Sequence, residues 1–219
     1  MDALLPLANH GVRAGLPLDA LAALTALAVA PFVVIMTTSF VRIAIVLSLV
    51  RSAIGASSLP PNAVITGLAL VLTFTIMTPT LSRISREALE PYAGGRISQS
   101  AMFARAFEPL RGFMLRQTHV DDLALFARVS HERVARPGDA PPAVLLPAFV
   151  VGELRSAFAI GFALYLPFVA IDLAVASILM GLGMFMLSPP IVSLPCKLLL
   201  FVMVDGWALV CGGIVSSCR

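Results

Sequence analysis

Four long stretches of this chain carry almost no charge. No Asp, Glu, Lys or Arg occurs between Asp19 and Arg42, and a further apolar run follows Arg42 as far as Val50. From Asn62 to Leu81 the chain is again uncharged. A third block, Ser156 to Met186, holds only Asp172, and a fourth, Ile191 to Ser217, holds Lys197 and Asp205. About 20 apolar residues suffice for a helix to cross a bilayer, and none of these runs alternates as a half-buried strand would. The pattern predicts four apolar helical segments and an all-α fold.

The joints between the runs predict how they pair. The first two meet at "RSAIGASSLPPN", a Gly-, Ser- and Pro-rich loop whose Pro-Pro step cannot continue a helix. The last two meet at Ser188-Pro189-Pro190, a tighter joint. After a segment 1–19, the expected organisation is an apolar helical hairpin over 20–81, a polar helical insert over 82–144, and a second apolar hairpin over 145–219. The insert holds 16 of the 27 charged residues, nine arginines against seven acids. "SRISREALEPYAGGRISQSAMFARAFEPLRGFMLRQ" reads as amphipathic helix broken at Pro91, Gly94-Gly95 and Pro109. "THVDDLALFARVSHERV" reads as a further helix, capped by Thr118 with Asp121 and Asp122 in its first turn. "ARPGDAPPAV" closes the insert as a loop. Beyond ~60 residues, charge bias stops governing topology, so the insert does not reveal which side faces the cytoplasm.

Composition narrows the class. Hydrophobic residues make up 59% and charged residues 12%, with a mean hydropathy of +0.97; soluble domains usually carry ~25% charged residues. The chain therefore belongs in a membrane or in a tightly packed hydrophobic assembly. A net charge of +3 comes from scattered bases with no run and no interleaved aromatics, so no nucleic-acid partner is expected. Cys196, Cys211 and Cys218 form no CxxC and have no His at ligand spacing, which argues against a metal or disulfide framework. His10, His119 and His131 lie outside the apolar runs, and there is no P-loop or dinucleotide fingerprint. No enzyme activity and no cofactor are expected. The first residues, "MDALLPLANHGVRAG", lack the layout of a cleavable signal peptide.

Charges inside the apolar runs need an account. Arg42, Asp172, Lys197 and Asp205 would each cost at least ~2.5 kcal/mol at a bilayer centre. They serve either a proton or ion relay or structural pairing between helices or subunits. Lys197 and Asp205 are eight apart, about 80° around a helix, so their partners must come from elsewhere. Small residues recur along the last two runs, with Ser177/Gly181 and Ala208/Gly212 at the four-residue spacing that lets helix backbones approach.

One stretch, "GMFMLSPP" at 183–190, places Met184, Phe185 and Met186 just ahead of the helix-breaking Pro189 and Pro190. By itself it reads as a turn facing lipid or core. Its setting says more. Residues 38–74, "TSFVRIAIVLSLVRSAIGASSLPPNAVITGLALVLTF", and 145–207, from "LLPAFVVGELRSAF" through "IDLAVAS" to "LFVMVDGW", together cover nearly half the chain. These motifs are individually modest and jointly specific. They resemble the R-type export apparatus subunits of bacterial type III secretion systems, whose flagellar homologue is called the P protein. The insert resembles that family only loosely.

The resemblance implies an oligomeric ring, a pentamer, in or above the bacterial inner membrane and projecting to the periplasmic side. S-type and T-type subunits would be its partners, and unfolded polypeptides its cargo. It also implies an apolar loop that closes the pore as a gasket, at Met184, Phe185 and Met186, with Pro189 and Pro190 pushing it inward. The family commonly has methionine where Phe185 stands. Flexible methionines can seal a pore and yield to a passing chain. Glu153 and Arg155, just before the third run, are candidates for inter-subunit ion pairs, and a protein assembly would equally supply partners for Arg42, Asp172, Lys197 and Asp205. The weak case for a signal peptide favours a virulence-type machine over a flagellar one. The alternative function is an ion-coupled secondary transporter or small channel, which would bind a small ligand at Asp172 or Asp205; a purely structural scaffold is a third.

Overall fold

The computed structural model describes residues 18–55 and 60–218. The first 17 residues, which carry most of the 1–19 segment and the signal-peptide reading, lie outside the described residues, as do the middle of the 51–62 connector and Arg219. Among the described residues every regular element is helical. They are α1 (Leu18–Met36), α2 (Phe40–Ile54), α3 (Asn62–Ile84), a π-turn (Ser85–Leu89), α4 (Glu90–Ala93), α5 (Gln99–Gln117), α6 (Val120–Val129), a 3₁₀ turn (Pro137–Asp139), α7 (Pro142–Gly181), α8 (Pro189–Met203) and α9 (Gly206–Ser217). The all-α expectation holds.

The chain divides into two compact units, with Val34 and Ile35 at the boundary. Within the first, α1 presents Leu24, Leu27 and Phe32 as exposed side chains and carries Pro31 in its interior.

In the second unit, α2 is the central element. Ile43, Val46 and Leu47 are fully buried, packed with Ile65 and Ala69 of α3, Ala157 and Phe168 of α7, Phe201 of α8, and Val210 and Ile214 of α9. The approach of α7 to α2 depends on Gly161: a Cβ there would lie 2.3 Å from Leu49 Cδ1. A second core lies under the polar insert, where Met77, Phe113, Met114, Leu123, Leu145 and Phe149 pack together. The Phe113 and Phe149 rings meet edge-on at 6.0 Å there.

Two of the four apolar runs are not single helices. The first breaks at Thr37-Thr38-Ser39, all buried; the Phe40 amide donates to Thr38 Oγ1 at 3.4 Å, a local bond that competes with the helical ladder. The fourth breaks at Val204-Asp205, where Asp205 takes a left-handed backbone (φ 49°) and α8 and α9 meet at 64°. Gly206 makes that bend possible, because an added Cβ would sit 2.3 Å from the Phe201 ring. The Trp207 ring then stands edge-on to Phe201 at 5.2 Å.

The third run is longer than predicted. At about 1.5 Å per residue, the 40 residues of α7 extend roughly 60 Å, twice the ~30 Å hydrocarbon core of a bilayer. By length and composition, Asn62–Ala93 and Pro142–Gly181 can each cross a membrane; taking two interrupted helix pairs as single spans raises the number to four.

Three local expectations for the insert are corrected. Pro109 does not break α5, which runs through it with that ring buried. Pro91 does not stop the helix either, because the π-turn just ahead has already re-phased the hydrogen-bond ladder; the break comes at Gly94-Gly95, with Gly95 at φ 66°. Thr118 is not the cap of α6. Its hydroxyl donates back to the Met114 carbonyl at 2.7 Å and closes α5, leaving His119 at the start of α6.

A polar knot joins four helices. The Arg42 guanidinium, 3% exposed, pairs with Glu153 of α7, 1% exposed. It also donates to Gln117 Oε1 of α5 at 3.1 Å and to the Ser217 carbonyl at the end of α9 at 2.8 Å. Gln117 in turn donates to the Cys218 carbonyl at 3.0 Å. A cation on terminal carbonyls also complements the α9 dipole.

Two expected outcomes follow from these contacts. Glu153→Gln leaves a buried guanidinium without its counter-charge, at a cost of about 3–5 kcal/mol. In detergent this lowers the melting midpoint by on the order of 10 °C, whereas Arg42→Met with Glu153→Met lowers it less than either single change. Gly161→Ala forces Leu49 aside and costs about 1–3 kcal/mol; adding Leu49→Ala recovers part of the loss in the same melting assay.

Candidate functional site

The turn between α7 and α8 is built by glycine and proline. The Gly183 amide donates to the Met180 carbonyl at 3.1 Å and the Met184 amide to the Leu179 carbonyl at 2.9 Å. Gly183 is left-handed at φ 72° with open space around it. This double closure on a left-handed glycine is how helices commonly end. A further turn bond runs from the Leu187 amide to the Met184 carbonyl at 3.3 Å. Pro189 and Pro190 then occupy the first turn of α8, where the missing amides have no helical acceptor to lose.

The side chains of this turn are apolar and bare. Leu182, Met184, Phe185, Met186 and Leu187 are 69%, 42%, 79%, 101% and 45% exposed. A run of exposed apolar residues on this scale marks a contact surface.

Beneath the turn the two helices are braced. Lys197 Nζ lies 2.6 Å from Asp172 Oδ2, and Ser193 donates to Asp172 Oδ1 at 2.6 Å. At 1.5 Å per residue, Asp172 is about 13 Å below the end of α7 and Lys197 about 12 Å below the start of α8. The Lys197 ammonium is 3.9 Å from the position of a Cβ on Gly55, close to the carbonyl end of α2, where a cation is favoured.

The remaining predicted charges divide. Glu153 is tied to Arg42 within the chain. Arg155, about half exposed, pairs with the buried Asp122 of α6 at 2.6 Å, also within the chain. Asp205 is exposed at the α8–α9 bend, and among the described residues its side chain makes neither an ion pair nor a cap hydrogen bond. Gln117, Asp122 and Ser193 were not anticipated as partners. Their one signal is composition: each supplies a hydrogen-bonding group to a charge that the apolar runs strand.

Among the described residues no three His, Cys, Asp or Glu side chains come together as a metal site would need. A hollow of about 250 Å³ between α2, α7, α8 and α9 is lined only by apolar residues and glycine, Val50, Phe168, Phe201, Gly206 and Val210 among them. It offers no group for acid–base or nucleophilic chemistry.

Comparison with known proteins agrees with the motifs. The sequence model of the FliP family matches residues 23–214. The flagellar biosynthetic protein FliP of Pectobacterium carotovorum subsp. carotovorum is 49% identical over 213 residues, covering 97% of this chain and 83% of that protein. The proteins of the same name from Bacillus subtilis (strain 168) and Aquifex aeolicus (strain VF5) are 47% and 46% identical over 197 residues each, 89% of this chain and 88% and 82% of theirs. The matched span takes in the polar insert as well as both motif-bearing halves. With the loop, its brace and the motifs of both halves accounted for together, the chain belongs to the FliP family, the flagellar P-protein type of the type III export apparatus subunits.

Proposed function

We propose that this chain is a core subunit of the flagellar type III export gate in the bacterial inner membrane. Several copies form a ring with S-type and T-type subunits, and the 182–188 turn closes the protein-conducting pore. The observation that carries this reading is the turn itself: five apolar side chains held out by a glycine–proline joint, over an Asp172–Lys197 pair that braces the two helices. The relatives carry flagellar names, which favours a flagellar machine over the virulence-type one.

The length of α7 supports a ring that stands partly out of the bilayer toward the periplasm. Lipid covers about half of such a helix, and exposed residues such as Phe158, Phe162, Leu173 and Ile178 need neighbouring subunits over the rest. In the closed gate, Met184, Phe185 and Met186 of each copy meet at the axis. A pore lined by such side chains is dewetted, so ions stop while no substrate is present. When a polypeptide arrives, the methionines re-pack around it, while the stiffer Phe185 moves with the turn as a whole. The transporter reading loses ground at Asp172, which Lys197 and Ser193 already bond, and keeps only the exposed Asp205.

The test is leakage. In cells overproducing the complex, Met184→Ala with Met186→Ala raises ion permeability several-fold and lowers membrane potential, as reported by a potential-sensitive dye. Phe185→Met leaves the seal tight. A normal potential in the double variant, with complex present at wild-type level, would overturn the gasket role.

A further inference from the structure

We propose that Asp205 of one copy pairs with Arg51 of the adjacent copy in the ring. The proposal rests on the ring reading above and goes beyond it by naming one contact between copies.

It starts from the charges of the apolar helices in the second unit. Among the described residues, Arg42 faces Glu153, Arg155 faces Asp122, Lys197 faces Asp172 and Arg83 faces Glu87. Two charges are left over. Arg51 donates only to neutral acceptors, Asn62 Oδ1 and, at 3.5 Å, the Pro60 carbonyl. Asp205 has no cation partner among the described residues. On these helices one unpaired base and one unpaired acid remain, and they do not pair with each other within the chain.

The surroundings of Asp205 make its isolation costly. Val202 and Met203 are 75% and 76% exposed, and Val204 and Trp207 beside it are exposed as well. A lone carboxylate on such a surface suits neither lipid nor a dry protein contact unless a cation arrives with the neighbour. Its backbone is also held left-handed, a conformation uncommon for a residue other than glycine, and the side chain does not cap α9 in return.

Position then selects the occupant. A ring contact is heterologous: one patch of a subunit meets a different patch of the next. With the ring axis along the helices, the two patches must lie at one height. Val50 and Gly206 line the same apolar hollow, so their chain neighbours Arg51 and Asp205 share a level. Arg51 turns toward the start of α3, whereas Asp205 stands on the α8–α9 joint, so the two charges belong to different patches. A second copy thus offers the missing cation at the right height.

The test uses the whole complex, in a chain with Cys196→Ser and Cys211→Ser. Two differently tagged copies, one with Arg51→Cys and one with Asp205→Cys, are co-expressed with the other export subunits and treated with a short bis-maleimide. Copies carrying Phe185→Cys report the ring itself. The expected result is a 51–205 adduct joining the two tags. Phe185 adducts without any 51–205 adduct would leave the ring standing and overturn the pairing, as would an adduct found only within one chain carrying both cysteines. Absence of both adducts would sink the ring reading along with it. Charge reversal gives a second readout: Asp205→Arg or Arg51→Asp alone lowers recovered complex about tenfold or more, and the two together in one chain restore it. Failure to restore counts against the pairing.

Discussion

Arg42 is the residue on which the rest of the second unit depends. A guanidinium presents its donors in a fixed plane, and the two terminal nitrogens of this one serve Glu153 of α7, Gln117 of α5 and the carbonyl end of α9. Lysine, a point charge on a flexible stem, would not hold three helices in one geometry. The tie fixes α2, α7 and α9 at one end. From Glu153 to Gly181 the chain is unbroken helix, so the position of the turn at the far end follows from the knot across about 42 Å of rod. The Asp172–Lys197 brace then keeps α8 in step with α7 along the way.

Much of this architecture was legible from hydropathy, because long uncharged runs permit little else. The joint between the last two runs was legible at Pro189-Pro190, but those prolines open α8 rather than only breaking a helix, and the left-handed stop at Gly183 was not foreseen. Nor were the breaks at Thr37–Ser39 and Asp205. At the first, a local Thr38 hydroxyl bond to the Phe40 amide competes with the helix on a buried stretch; at the second the cause is tertiary, since Gly206 admits the ring of Phe201. Prolines misled in the opposite sense. Pro109 keeps its helix because burial of its ring and neighbours offsets the lost hydrogen bond, a balance that the insert's sequence does not display.

The site was legible in a different way. Composition singled out Arg42, Asp172, Lys197 and Asp205 as charges requiring partners, but it could not supply those partners. Glu153 lies 111 residues from Arg42, and Asp172 lies 25 from Lys197. Only the fold brings them together. Asp122 was read as an answer to the α6 dipole and turns out to hold Arg155 as well. The role of the turn came from the family resemblance, since "GMFMLSPP" alone fits any apolar turn.

On the proposed reading, the contrast between paired charges and a bare loop has a physical purpose. An unfolded polypeptide in transit carries every kind of side chain, and any unsatisfied group lining its path would grip some of them. A charge already paired within its own subunit, as Arg42 and Lys197 are, offers little to a passing chain. Apolar side chains on a glycine–proline joint offer only weak, non-directional contact, which is lost as readily as it is made. Sealing and release then come from the same property, and the strong interactions stay in the hairpin, where they hold shape and leave the substrate alone.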